Sequence, residues 1–249
     1  MYEVEDVRGN LRSSKKIFLP EERGITIYIN GREFITLSAS PSDEAYLALG
    51  FLFTEGVIEN LHIIKEYNVD DNGGVWIETK KKISNCKARK KVLTSGCGKG
   101  MVLNFNGDKL KKLRKRKKIS GEVLLNLVKK GLSMGEEMKE SRGLHTAFLF
   151  NSEGIISLKN DIGRHNAVDK VIGEALTQGN LRKGLVLAST GRLSSEIVLK
   201  ALRAQIPILT SLSSPTDAAV ELADKFGQTL AGYVRGKRMI LYTHTWRIV

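Results

Sequence analysis

Seven residues, Thr94-Ser95-Gly96-Cys97-Gly98-Lys99-Gly100, set one thiol between glycines and beside a lysine, just after the basic run Lys87-Ala88-Arg89-Lys90-Lys91. Glycine lets the backbone turn tightly and leaves the sulfur open to a large partner, and nearby cations favour thiolate over thiol. The pattern points to a reactive cysteine rather than a packed one, since the apolar pair Val92-Leu93 stops short of the loop, with a plain glycine turn that happens to carry a cysteine as the alternative. The other cysteine, Cys86, lies eleven residues upstream beside the basic run.

Three further turns carry groups that could hold an anion: Asn160-Asp161-Ile162-Gly163-Arg164-His165-Asn166, Thr190-Gly191-Arg192-Leu193-Ser194 and Ser213-Ser214-Pro215-Thr216. Each joins a predicted strand to a predicted helix. Helix N-termini present unpaired N–H groups and partial positive charge, and Arg164 and Arg192 could add bidentate contacts, so the implied ligand is rich in phosphate. The third turn is also explained by capping alone, with Ser213 or Ser214 ahead of Pro215. In the first, Asp169 stands one helical turn after His165 and could pair with it. A fourth segment, Gly232-Tyr233-Val234-Arg235-Gly236-Lys237-Arg238, reads as a hairpin tip exposing three cations and a ring able to stack on a base, although charge for solubility alone also explains such a tip.

The elements that position these groups divide the chain at about residue 118. Residues 1–118 are expected to be a β-rich region holding the cysteine loop and a basic loop, and residues 119–249 an α/β domain. In the first part, Ile25, Ile27 and Ile29 alternate up to Asn30-Gly31, the favoured hairpin dipeptide, and Phe34-Ile35 continue the return strand. Ser40 then caps a helix with Pro41 at its first position and Thr54-Glu55-Gly56 at its end. Short strands follow near Ile63–Val69 and Val75–Thr79. In the second part, Val123, Leu124, Leu127, Val128 and Leu132 recur at helical spacing after Ser120. Strands are expected at Thr146–Phe150, Ile155–Leu158, Leu185–Ser189, Ile206–Ser211, Thr229–Val234 and Met239–Thr243. Helices alternate with them over 166–176, 194–204 and 215–226. That alternation demands crossovers, so the sheet is expected to be largely parallel, with the three strand-to-helix turns together at its carboxyl edge.

Composition limits the function. Two cysteines in 249 residues are too few for a disulfide scaffold, and neither a signal peptide nor a long apolar run is present, so a cytoplasmic protein with reduced thiols is expected. The formal charge is +13, but Lys109–Lys118 holds eight of the cations and leaves +5 for the rest. A basic, non-enzymatic nucleic-acid binder is the competing reading of that charge. It lacks interleaved aromatics and a known module near the basic run.

In order along the chain, these stretches resemble the FdhD family, the accessory sulfurtransferases of formate dehydrogenase. The resemblance rests on Ile29-Asn30-Gly31, the Pro41–Ile58 helix with Leu49-Gly50-Phe51-Leu52-Phe53-Thr54-Glu55-Gly56, Ser95-Gly96-Cys97-Gly98 and Gly143-Leu144-His145. It continues through the thirteen-residue block Asp161–Gly173, Gly191–Glu196, Ser214-Pro215-Thr216 and Gly232–Gly236. The resemblance implies a layered α/β/α cytidine deaminase-like C-terminal domain and a homodimer. It also implies a sulfur carrier that takes persulfide sulfur from a cysteine desulfurase. The sulfur would pass to a molybdenum or tungsten bis-pterin guanine dinucleotide cofactor before that cofactor enters formate dehydrogenase. On this reading Cys97 carries the sulfur, with Lys99 and Arg89 or Lys90 lowering its pKa. Arg164, His165, Asn166 and Arg192 line the cofactor's phosphates, and Tyr233, Val234, Arg235, Gly236, Lys237 and Arg238 hold a guanine end. The basic run docks the desulfurase or covers the cofactor. No resident metal, nucleic acid or membrane is expected. Many members pair two cysteines as Cys-x-x-Cys, whereas this chain has Gly100 at the second position, so transfer must run on one thiol, with Cys86 a distant substitute. A zinc deaminase, the fold's other association, lacks its His-x-Glu and Pro-Cys-x-x-Cys ligands here.

Overall fold

A computed structural model describes residues 1–81, 92–93, 110–113, 117–138 and 143–249. Cys97, Cys86, Arg89, Lys90 and Lys99 lie outside the described residues, as do Lys109 and Arg114–Arg116 of the basic run.

The chain opens with an antiparallel hairpin, β1 (Tyr2–Arg8) and β2 (Leu11–Ile17), which hydrophobic alternation does not signal because its apolar positions are sparse and none is buried. A second sheet follows, with β3 (Arg23–Ile29), β4 (Arg32–Ala39), β5 (Ile64–Val69), β6 (Val75–Thr79) and β7 (Val92–Leu93) in the order β5-β6-β3-β4-β7. Asn30 and Gly31, at φ 50° and 72°, make the expected two-residue turn, a left-handed pair that glycine and asparagine tolerate best. Ile25, Ile27, Ile29, Ile35 and Leu37 point to one face of this sheet and bury against α1 (Glu44–Thr54).

Helix α1 begins at Glu44, later than the Ser40–Pro41 start expected from capping. Ser40 is instead drawn away by partners more than a hundred residues downstream, described below.

The C-terminal half is a six-stranded sheet of order β13-β12-β11-β10-β8-β9. Its strands are β8 (His145–Asn151), β9 (Gly154–Asp161), β10 (Val186–Ser189), β11 (Ile208–Ser211), β12 (Thr229–Arg235) and β13 (Arg238–Thr243). Helix α2 (Gly121–Glu137) covers one face through Leu124 and Val128. Helices α3 (Arg164–Thr177), α4 (Ser195–Arg203) and α5 (Asp217–Phe226) cover the other, giving the expected α/β/α layering. Burying a Leu or Val side chain in such layers contributes roughly 1.5–3 kcal/mol, and the two apolar clusters together fix the sheet between its helices.

The sheet is mixed rather than largely parallel. Only β10-β11 and β11-β12 are parallel, because β8 and β9 form a hairpin and β8 inserts antiparallel between β9 and β10, while β13 folds back on β12. The α3 crossover therefore skips one strand. Strands β9, β10, β11 and β12 still run the same way, so their carboxyl ends share one edge.

Helix α1 joins the two halves. It lies between the N-terminal sheet and α3, and the helices cross so closely that a Cβ on Gly50 would sit 1.9 Å from the Asp169 carbonyl oxygen, and one on Gly173 2.0 Å from that of Tyr46. Beside this crossing Lys200 is buried, donating to Thr54 Oγ1 at 3.0 Å, Glu55 Oε1 at 2.8 Å and Asp169 Oδ2 at 2.9 Å. Burial works against its charge, but Asp169 and Glu55 more than offset it and push its pKa up to about 12.

Candidate functional site

Four loops meet at the shared carboxyl edge of β9, β10, β11 and β12, and each carries residues singled out by type. From β9 the chain enters α3 at Arg164, with His165 next, both half-buried at the helix N-terminus. From β10 it passes through Gly191 and the exposed Arg192 into α4. Gly191 is needed for packing: a Cβ there would lie 2.6 Å from the Cδ of Arg164, so the arginine's stem runs flat over this glycine and ties the two turns together.

The β11 turn is stitched to its neighbours by backbone bonds. Leu193 N–H donates to Ser214 O at 3.1 Å, and Thr216 N–H donates to Leu193 O at 3.0 Å. The hydroxyl of Ser211 donates to Gly191 O at 2.6 Å. Thr216, rather than Ser213 or Ser214, caps α5, its side chain accepting from Ala219 N–H at 3.3 Å.

The fourth loop is the β12–β13 hairpin. A bulge between Gly232 and Arg235 puts Tyr233 at φ 51° and turns its ring outward, 38% exposed, while its N–H donates to Ser213 O at 3.1 Å. A left-handed tyrosine costs of order 1 kcal/mol, and a strained aromatic at a loop junction marks a place where the ring's direction matters. Gly232, just before it, could not carry a side chain, since a Cβ would lie 2.9 Å from Ser213 O. Arg235 Nε donates to Leu212 O at 3.2 Å, and Gly236, Lys237 and Arg238 are exposed at the tip. Val234 points the other way, 1% exposed in the core beneath α2, so only its backbone faces the loops.

The structure thus brings Arg164, His165, Arg192 and Tyr233–Arg238 to one edge. Asn166 is different. It is buried, and its two amide hydrogens are committed, one to Ser38 O at 2.8 Å and one to Asp161 Oδ1 at 3.0 Å, so its side chain has no donor left for a phosphate. The local pairing expected between His165 and Asp169 is not formed. Asp169 turns into the α1–α4 seam, and His165 Nε2 instead meets Glu196 Oε2 at 3.1 Å and Ser194 Oγ at 3.5 Å. The hydrogen bond from His165 holds the Glu196 carboxyl below the usual carboxylate range, against the opposing effect of partial burial. In the sequence Glu196 stands out only as part of the Gly191–Glu196 stretch. Its spacing to His165 carries no signal, because the contact is between two helices.

The edge is therefore a basic rim with an outward aromatic at one end. Exposed guanidinium groups suit phosphate oxygens, and a free aromatic face suits a purine. Among the described residues there is no group of three or more His, Cys, Asp or Glu placed to hold a metal, and no helix is long and apolar enough to cross a membrane.

Strand β7, which precedes the cysteine segment in the chain, belongs to the other sheet. Strand β7 pairs in parallel with β4, Val92 opposite Thr36 and Leu93 opposite Leu37, so the chain leaves β7 one residue short of Ser38, the residue whose carbonyl Asn166 holds.

Comparison with known proteins gives this arrangement a context. The model of the FdhD/NarQ family matches residues 20–249. The sulfur carrier protein FdhD of Saccharolobus solfataricus is 34% identical over 226 residues, covering 90% of this chain and 86% of that protein. The protein of the same name from Bacillus subtilis is 34% identical over 229 residues, covering 90% and 87%. Among solved structures, that of a proposed formate dehydrogenase accessory protein from Desulfotalea psychrophila superposes with a TM-score of 0.84 at 25% identity, covering 100% of this chain and 98% of that one.

Proposed function

The chain belongs to the FdhD/NarQ family, and from that premise we propose that it is a sulfur carrier serving formate dehydrogenase. It takes persulfide sulfur from a cysteine desulfurase on Cys97 and passes it to a molybdenum or tungsten bis-pterin guanine dinucleotide before that cofactor is inserted into the enzyme. The cofactor is cargo. Cys97, as thiolate, attacks the outer sulfur of the donor persulfide; a new S–S bond forms, the donor's own S–S bond breaks, and its inner sulfur leaves as thiolate.

The observation that carries this reading is the convergence of four loops on one sheet edge, with arginines in two of the helix-start turns and the tyrosine-arginine hairpin tip at the end of the row. A dinucleotide tail offers several phosphates and a purine, which is the chemistry that edge presents. In this reading Arg164, His165 and Arg192 take phosphates, while Tyr233, the Val234 backbone, Arg235, Gly236, Lys237 and Arg238 take the guanine end. Four peptide links separate Leu93 from Cys97, a reach of at most about 14 Å of extended chain. The carrier acts as a homodimer, without nucleic acid or membrane.

Incubation with a cysteine desulfurase and cysteine should add one sulfur to the Cys97 peptide by mass spectrometry. Cys97→Ala should keep its affinity for GDP and fail to activate formate dehydrogenase in cells lacking their own carrier. Activation by Cys97→Ala would remove the thiol from the mechanism. Arg235→Ala should weaken GDP binding by roughly tenfold or more, the worth of a charge-assisted hydrogen bond at about 1.5–3 kcal/mol; unchanged affinity would defeat the hairpin assignment.

A further inference from the structure

The turn that presents Arg164 and His165 also grips the other sheet. Asp161 is fully buried, and its carboxylate accepts four hydrogen bonds. Oδ1 takes Gly163 N–H at 2.8 Å and the Asn166 amide at 3.0 Å; Oδ2 takes Ser40 N–H at 3.1 Å and Lys170 Nζ at 2.7 Å. Every lone-pair direction of the carboxylate is thereby used. Lys170, also fully buried, donates again to Ser40 O at 3.0 Å. Ile162 N–H donates to Ser40 Oγ at 3.2 Å, and the second Asn166 amide hydrogen goes to Ser38 O at 2.8 Å.

Four of these bonds reach Ser38 or Ser40, at the end of β4, and the others join Asp161 to Gly163, Asn166 and Lys170. That strand is the one on which β7 lies, paired through Leu37 and Leu93. Position at the start of α3 and position at the end of β7 are therefore set by one buried cluster. A buried carboxylate and ammonium are costly to desolvate, and such a cluster holds only when every member is satisfied. A plain apolar contact would fill the space as well, but it would not fix register between two sheets.

We propose that Asn166, with Asp161 and Lys170, is a positioning clasp for sulfur transfer. It holds the take-off point of the chain that leads to the thiol loop in register with the phosphate-binding edge. The inference rests on the sulfur-carrier reading above, and it gives Asn166 a role different from contact with the cargo. Misplacement of a reacting group by about 1 Å can cost about a hundredfold in rate, whereas loading of the thiol and binding of the nucleotide do not depend on the register between them.

The test separates three readouts in the full-length protein: GDP affinity by calorimetry, sulfur loading of Cys97 by mass spectrometry after desulfurase treatment, and activation of formate dehydrogenase in cells lacking their own carrier. Asn166→Ala should leave the first two within about twofold of the parent and lower activation by about tenfold to a hundredfold. Ser40→Ala, which removes only the hydroxyl that accepts from Ile162, should show the same split with a smaller loss. That variant decides the matter if Asn166→Ala does not fold. Unchanged activation in the folded variants overturns the proposal, and so does a fall in GDP affinity that matches the fall in activation, since the clasp residue would then be a ligand residue. Activation by Cys97→Ala, by contrast, would overturn the carrier reading itself.

Discussion

Replacing Gly173 by alanine tests the joint on which the two halves depend. An added Cβ would lie 2.0 Å from the Tyr46 carbonyl oxygen, whereas ordinary contact begins near 3.4 Å, so α1 and α3 must separate by about 1.4 Å, the difference of those distances. The obstacle is backbone and cannot swing aside. Separation strains the Thr54–Asp169 hydrogen bond of 2.6 Å and the Lys200 bonds that cross the same seam. Overpacking typically costs about 1–3 kcal/mol. Weakening buried polar partners adds about 1–3 kcal/mol, and the better helix propensity of alanine returns about 1 kcal/mol. The net loss is then about 1–5 kcal/mol. At about 2–4 °C per kcal/mol for a chain of this size, the midpoint should fall by about 2–20 °C. Thermal and urea unfolding followed by circular dichroism measure it. Gly50→Ala should behave alike, since its Cβ would lie 1.9 Å from Asp169 O on the opposite side of the same crossing. The double variant should lose much less than the sum, because the first substitution already opens the gap that the second needs. An unchanged or raised midpoint in either single variant would refute the close crossing, and strict additivity would refute the shared gap.

Two further outcomes follow from the same geometry. Lys200→Met strands the buried Asp169 and should destabilise by about 3–5 kcal/mol at neutral pH. In the parent, the Lys200 pKa is raised to about 12, so its contribution is complete below the unfolded lysine value and is lost only as pH rises through about 12; a parent that loses stability between pH 7 and 9 through this residue would contradict the pairing. Tyr233→Gly should leave stability unchanged or raise it by about 1 kcal/mol by relieving the left-handed backbone, while lowering GDP affinity; tight GDP binding without the ring would show that it does not stack on the base.

The kind of most elements, though not of the β1–β2 hairpin, was legible along the chain because it depends on neighbours three to five residues away. The Asn30-Gly31 turn, the alternation of Ile25, Ile27 and Ile29 and the helical spacing in α2 are local patterns, and the folded chain keeps them. The gathering of three strand-to-helix turns at one edge was also legible, although the sheet is mixed. Insertion of β8 between β9 and β10 changes its own direction and not theirs. The glycines at positions 50 and 173 were visible as parts of motifs, but the need for them was not.

Sequence alone determined which residues could do chemistry: a thiol among glycines, arginines at helix starts, a tyrosine beside cations. Tertiary structure decided which of them are available for it. Ser40 reads as a helix cap and Asn166 as a phosphate contact, yet Ser40 bonds to Asp161 and Ile162, and Asn166 to Ser38 and Asp161. Asp169 reads as the partner of His165, yet it faces Thr54 and Lys200 while His165 meets Glu196. A polar side chain taken out of water must find partners of matching donor and acceptor character wherever packing places them, and here many of those partners stand on elements far away in the chain.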